Sequence, residues 1–125
     1  MKFKNLEHEQ NYKVLLELTE ADNKNVETAM YVLAAIPEVG LVDFVKNHIH
    51  GKNAVDFVKM IEETSTWNRG KRTLLQLAAH FFNPDIFNEN CTIMEVFPML
   101  DVENFNVAIE AIKYRTEIKQ LNTKQ

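Results

Sequence analysis

Cysteine, glycine and proline are all scarce in this chain. The one cysteine, Cys91, excludes an internal disulfide. Three glycines and three prolines are too few to punctuate the many turns of an all-β fold, and point instead to long helices with short links. No unbroken apolar run is longer than Ala29–Ile36, far short of the ~20 residues that span a bilayer. The opening residues, Met-Lys-Phe-Lys-Asn-Leu-Glu-His-Glu-Gln, lack the apolar centre of a secretory signal. These two absences predict a cytoplasmic protein that does not engage a membrane. Basic charge is also missing over a long stretch: from Thr73 to Ile112 there is no lysine or arginine.

What is present fits one domain. The chain has 125 residues, 46% of them hydrophobic and 26% charged, enough for a core without disulfide or metal staples. The net charge is −4 and the pI about 5.6. A mildly acidic chain is a poor general binder of nucleic acid, whose affinity comes mainly from neutralising phosphates.

Helical periodicity runs through most of the sequence. Leu6–Thr19 carries a stripe of Leu6, Tyr12, Leu15, Leu16 and Thr19, with Asn5 placed to cap it. A second helix starts at Asn23 or Asn25 and stops at Ile36, because Pro37 lacks an amide donor and disfavours the α conformation before it. Leu41–Ile49 reads as a short helix closed by Gly51, and Asn53–Thr64 as another. The β-branched residues there keep a strand reading open. Ser65, Thr66 and Asn68 are possible caps for a helix over about Arg69–Phe82, which Asn83-Pro84-Asp85 ends. Thr92-Ile-Met-Glu95 has the spacing of a capping box. Asp101 caps the last helix, whose expected apolar face is Val102, Phe105, Ala108, Ile109, Ile112 and Ile118. Lys113, Arg115 and Lys119 lie toward its end, where the dipole favours cations. Within this set Thr73–Phe82 stands out, with seven apolar residues in ten and its polar Thr73, Gln76 and His80 on one stripe. The expected fold is therefore all-α: a single domain, residues 1–125, of five to seven helices around Thr73–Phe82. That helix should be packed by Ala29–Ile36 and by the last helix, with residues 1–4 and 122–125 frayed.

Several stretches together carry a family resemblance. They are Glu-His-Glu at Glu7–Glu9, Val-Glu-Thr-Ala-Met-Tyr-Val-Leu-Ala at Val26–Ala34, Leu-Leu-Gln-Leu-Ala at Leu74–Ala78, and Leu-Asp-Val-Glu-Asn-Phe-Asn-Val-Ala-Ile-Glu-Ala-Ile at Leu100–Ile112. The chain resembles a family of short uncharacterised proteins of Firmicute bacteria, their phages and mobile elements. The resemblance is less close over Leu41–Thr64, and Trp67–Arg72 is more basic here than in the family pattern. It implies a helical fold and a bacterial or phage setting. It names no catalytic residue.

Four groups of residues invite a functional reading, each beside a plainer one. Trp67, Arg69, Lys71 and Arg72 place three cations and an aromatic at a helix start, where amides and guanidinium forks hold phosphate and tryptophan stacks a base. Gly70-Lys71 lacks the upstream glycine of a P-loop. The plainer reading is a loop whose Trp67 covers the core edge. His48 and His50 point apart on a helix and share a metal only on extended chain, and His80 is expected to meet a buried polar partner through Gln76. Cys91 precedes a helix start, which lowers a thiol pKa, but no histidine is placed to activate it. Asp85, Glu89, Glu103 and Glu110, interleaved with phenylalanines in the stretch without lysine or arginine, suit a basic protein partner or form a solvated acidic face. No metal, cofactor or catalytic set is expected. The leading reading is a non-enzymatic accessory or interaction protein that docks to another protein or to a second copy of itself. The alternative is a phosphate- or nucleic-acid-binding module built on Trp67–Arg72.

Overall fold

Eight consecutive apolar residues at Ala29–Ile36 leave a helix no face to offer to water, and the chain is wrapped around that segment. The computed structural model describes residues 1–86 and 97–116. Its helices are α1 (Leu6–Thr19), α2 (Lys24–Ala34), α3 (Leu41–Lys46), α4 (Phe57–Glu63), α5 (Arg69–Phe82) and α6 (Val102–Thr116). A hairpin, β1 (Ile49–Gly51) and β2 (Ala54–Val55), stands between α3 and α4, and 3₁₀ turns cover Pro84–Ile86 and Phe97–Met99. The helical fold is as the periodicity predicts.

The most enclosed element is α2 rather than α5. Every residue from Thr28 to Ile36 is buried. α5, α1 and α6 all pack on α2. The start of α2 lies beside Phe82 and Asn83, at the end of α5, and beside Tyr114, near the end of α6. Its end meets His8 in the first turn of α1 and Asn104 in that of α6. The three neighbours thus run antiparallel to it. α5 buries Thr73, Leu74, Leu75, Leu77, Ala78 and Ala79 but leaves Arg69, Arg72 and His80 exposed. Of its polar stripe, Thr73 is buried, Gln76 half-buried and His80 exposed, so α5 is an outer helix with one apolar side. Each fully buried Leu, Met or Val side chain contributes about 1.5–3 kcal/mol, and α2 supplies Met30, Val32 and Leu33 at 1% exposure or less.

Local chemistry sets the helix ends. Asn5, Asn23 and Asn68 accept from the amides of His8, Val26 and Lys71 respectively, capping α1, α2 and α5. Asp101 Oδ1 accepts from the Asn104 amide at 2.8 Å and starts α6. α1 closes with Glu20 in the left-handed region (φ 51°), where the Ala21 and Glu20 amides donate to the Leu16 and Glu17 carbonyls, a Schellman motif.

Sequence expectations are corrected in three further places, the first being the stretch from α3 to α4. Gly51 does not end a helix: α3 stops at Lys46 and Gly51 lies in β1 at φ 144°. The next helix starts at Phe57, because Asp56 rather than Asn53 caps it by accepting from the Lys59 amide at 3.0 Å. Asn53 instead sits left-handed in the hairpin turn (φ 57°), its amide donating to Thr19 O at 2.8 Å and its side chain to Asp22 Oδ1 at 2.7 Å. Only asparagine or glycine adopts that conformation readily, and asparagine adds the clasp to the α1–α2 link. Asn53→Ala is expected to cost about 1–2 kcal/mol, read by urea unfolding, with Asn53→Gly recovering the backbone share.

The second correction concerns α6. Its buried positions are Asn104, Val107, Ala108 and Ala111, whereas Val102 is 77% exposed and Phe105 40%. Two adjacent apolar stripes run along this helix, and the one with small residues is buried because alanine lets two helix backbones approach closely. The third concerns residues 1–4, which do not fray. Phe3 packs among His8, Tyr12 and Tyr31, with ring centroids 5.1–5.7 Å apart, and the Tyr31 hydroxyl donates to Lys2 O. The capping-box helix at Thr92–Glu95, Ile118, Lys119 and residues 122–125 lie outside the described residues.

Candidate functional site

The basic segment is brought to one place but is largely used internally. Trp67 is half-buried, its ring 5.5 Å from that of Phe44, which matches the core-edge reading. Lys71 Nζ lies 2.7 Å from Glu38 Oε1 and ties the first turn of α5 to the α2–α3 link. Arg69 points at Met99, with Nη1 3.3 Å from the sulfur, and Arg72 is exposed. None of these four residues lines any of the clefts described below.

The acidic residues do not form one patch. Asp85 is exposed beyond the end of α5, at the end of the bundle where α2 begins. Glu103 and Glu110 share a cleft along α6 at the opposite end, and Glu110 Oε2 accepts from the Lys2 amide at 3.1 Å. Glu89 lies outside the described residues, as does Cys91.

The histidines are sorted differently from the sequence reading. His80, expected to be buried, is exposed. His50 is exposed in β1. His48 is buried, with Nδ1 2.8 Å from Phe44 O and Nε2 2.8 Å from Glu63 Oε1, so neither ring nitrogen is open to a metal or a substrate. A shallow cleft of about 520 Å³ joins Phe44, His48, His50, Asp56, Lys59 and Glu63. Among the described residues no three His, Cys, Asp or Glu side chains are grouped to hold an ion.

A titratable group that the sequence marks for no role, His8, lies in the interior. It is 1% exposed. Nε2 donates to Tyr31 O at 2.8 Å and Nδ1 accepts from the Lys4 amide at 3.1 Å. Tyr31 belongs to the last turn of α2, whose carbonyls lack helical partners, so α1 caps α2 through this imidazole. The two bonds fix the neutral Nε2–H tautomer. Burial holds His8 below the usual imidazole range; the Tyr31 carbonyl opposes this and the Lys4 charge reinforces it. The signal was present: His8, Tyr12, Leu15 and Thr19 make a regular stripe, and all four are buried. Leu6, chosen for that stripe, is 66% exposed. Burial, with Glu27 adding to it, pushes the Tyr12 hydroxyl up to about 12.

Lys4 stands beside this cluster. Its Nζ donates to Asn104 Oδ1 at 3.0 Å, and Asn104 is itself 8% exposed. It forms part of the wall of two clefts. One, about 430 Å³, runs between the N-terminal segment and α6 and is lined by Lys2, Lys4, Tyr31, Glu103, Glu110 and Lys113 among others. The other, about 210 Å³, lies over the end of α2 beside His8, Asp101, Glu103 and Asn104. Desolvation lowers the Lys4 pKa, outweighing the opposing pull of Glu103, Asp101 and Glu7.

No described helix is long and apolar enough to cross a membrane. No family model, curated protein or solved structure matches the chain.

Proposed function

We propose that the protein is a non-enzymatic interaction module that docks an apolar, basic-flanked segment of another protein on the outward stripe of α6. The observation that carries this is Val102, 77% exposed at the start of α6. Half-buried Ile109 and Ile112 continue the stripe, while the opposite side of α6 is spent on α2. Exposed Asp101 and Glu103 flank it, and charge of that sign selects a basic neighbour and speeds encounter. A bacterial or phage setting and a cytoplasmic location belong to the same proposal. The alternative, phosphate or nucleic acid on Trp67–Arg72, is weakened by the commitment of Lys71 to Glu38.

Photo-crosslinkers at Val102 and, as a control, at Val14 on α1 test the docking reading. The Val102 probe should give one dominant adduct in cells, mapping to an apolar peptide bearing Lys or Arg. With the probe at Phe105, Val102→Asp should remove that adduct. Equal, diffuse labelling from both sites, or self-adducts alone, would sink the proposal. In parallel, Arg69→Ala with Arg72→Ala should leave oligonucleotide anisotropy at its weak, salt-sensitive background. A large loss of binding would favour the alternative.

A further inference from the structure

We propose that Lys4 is a nucleophilic lysine that forms an imine with small carbonyl compounds carrying a carboxylate or phosphate. The inference is independent of the docking surface on α6. Three observations converge on it. Lys4 Nζ is held at 3.0 Å by a neutral amide oxygen, that of Asn104, and no carboxylate lies within ion-pair distance of it among the described residues. The side chain forms the shared wall of two clefts, and the larger, about 430 Å³, is of a size that takes a small metabolite. Lys2 and Lys113 line that same cleft beside Glu103 and Glu110, and these two lysines are the cations an anionic tail would pair with.

Partial burial is how proteins make an amine reactive, because desolvation penalises the ammonium form. Here the penalty exceeds the effect of the three carboxylates that favour the charge. The step balances without an oxidant or reductant. The free amine lone pair attacks the carbonyl carbon, forming a C–N bond. The nitrogen gives up its two protons in turn, the former carbonyl oxygen takes up two and leaves as water, and the neutral imine remains. Glu103 lines both clefts with Lys4 and acts on it through its charge, while solvent water in the open cleft carries the protons from nitrogen to the departing oxygen.

The test uses the full chain with glyoxylate and acetaldehyde as probes at pH 7.5, cyanoborohydride to trap the imine, and peptide mapping to assign the lysine. Mapping also separates Lys4 from the α-amine of Met1. Lys52 is the internal reference, since its exposed ammonium is bonded to Asp22, which raises its pKa. Trapping at Lys4 is expected to be at least about tenfold faster than at Lys52. Glyoxylate should outpace acetaldehyde at Lys4, and Lys113→Gln should remove that preference. Lys4→Arg keeps the charge and a donor to Asn104 and should abolish adduct formation at this position while leaving the fold intact by circular dichroism. Labelling of Lys4 no faster than of Lys13 or Lys46 would overturn the assignment, as would trapping at Lys4 with no dependence on the anionic group.

Discussion

Leu33→Ala is expected to lower stability by about 2–5 kcal/mol, a large share of the roughly 5–15 kcal/mol that holds a domain of this size. Leu33 is 1% exposed and belongs to the helix that α1, α5 and α6 all cover. A cavity there lies in a segment buried at every residue from Thr28 to Ile36, and cavity cost rises with the volume left unfilled. Val102→Ala, by contrast, should change stability by no more than about 0.5 kcal/mol, although periodicity alone puts Val102 on the core face of its helix. Urea unfolding of both variants separates the two outcomes. Equal costs would mean that the packing round α2 is not as described.

Acidification is expected to destabilise the protein through His8. Its folded pKa is depressed below the unfolded imidazole value of about 6.5. Below that value the unfolded chain binds a proton that the folded chain resists. The stabilisation is therefore complete above about pH 6.5 and is lost as pH falls toward the depressed folded value. The cause is geometric as well as dielectric. A proton on Nδ1 would face the Lys4 amide that now donates to it, within a shell of Phe3, Tyr12 and Tyr31. Unfolding free energies measured from pH 7.5 to 5 should be flat at first and then decline. The NMR titration of the His8 Cε1 proton should have its midpoint below the ordinary imidazole value of about 6.5. His8→Gln should be less stable at pH 7.5 but shallower in its decline. His8→Ala should cost on the order of 3 kcal/mol at neutral pH, from a cavity and an unpaired Tyr31 carbonyl. A His8 titration at or above the ordinary imidazole value would refute this account.

Much of the candidate chemistry was only half legible beforehand. The asparagine caps at Asn5 and Asn68 follow from residue type and spacing, since capping is decided within four residues of chain. Lys4 and Asn104 carry no such mark. They meet across 100 positions, and nothing local distinguishes either from an ordinary surface residue. Trp67–Arg72 shows the converse: a conspicuous local cluster whose Lys71 is engaged by Glu38, 33 residues earlier.

Composition and periodicity by themselves determined the helical class, the bounds of α1 and α5 and several of the caps, because those depend on hydrogen bonds and side-chain spacing within a turn or two. The tertiary structure alone decided which helix lies at the centre, which stripe of α6 is buried, and that His8 and His48 rather than His80 lie in the interior. Each of those choices compares apolar surfaces of similar greasiness. The winner is set by how closely two backbones can approach and by which distant polar groups find partners when they do.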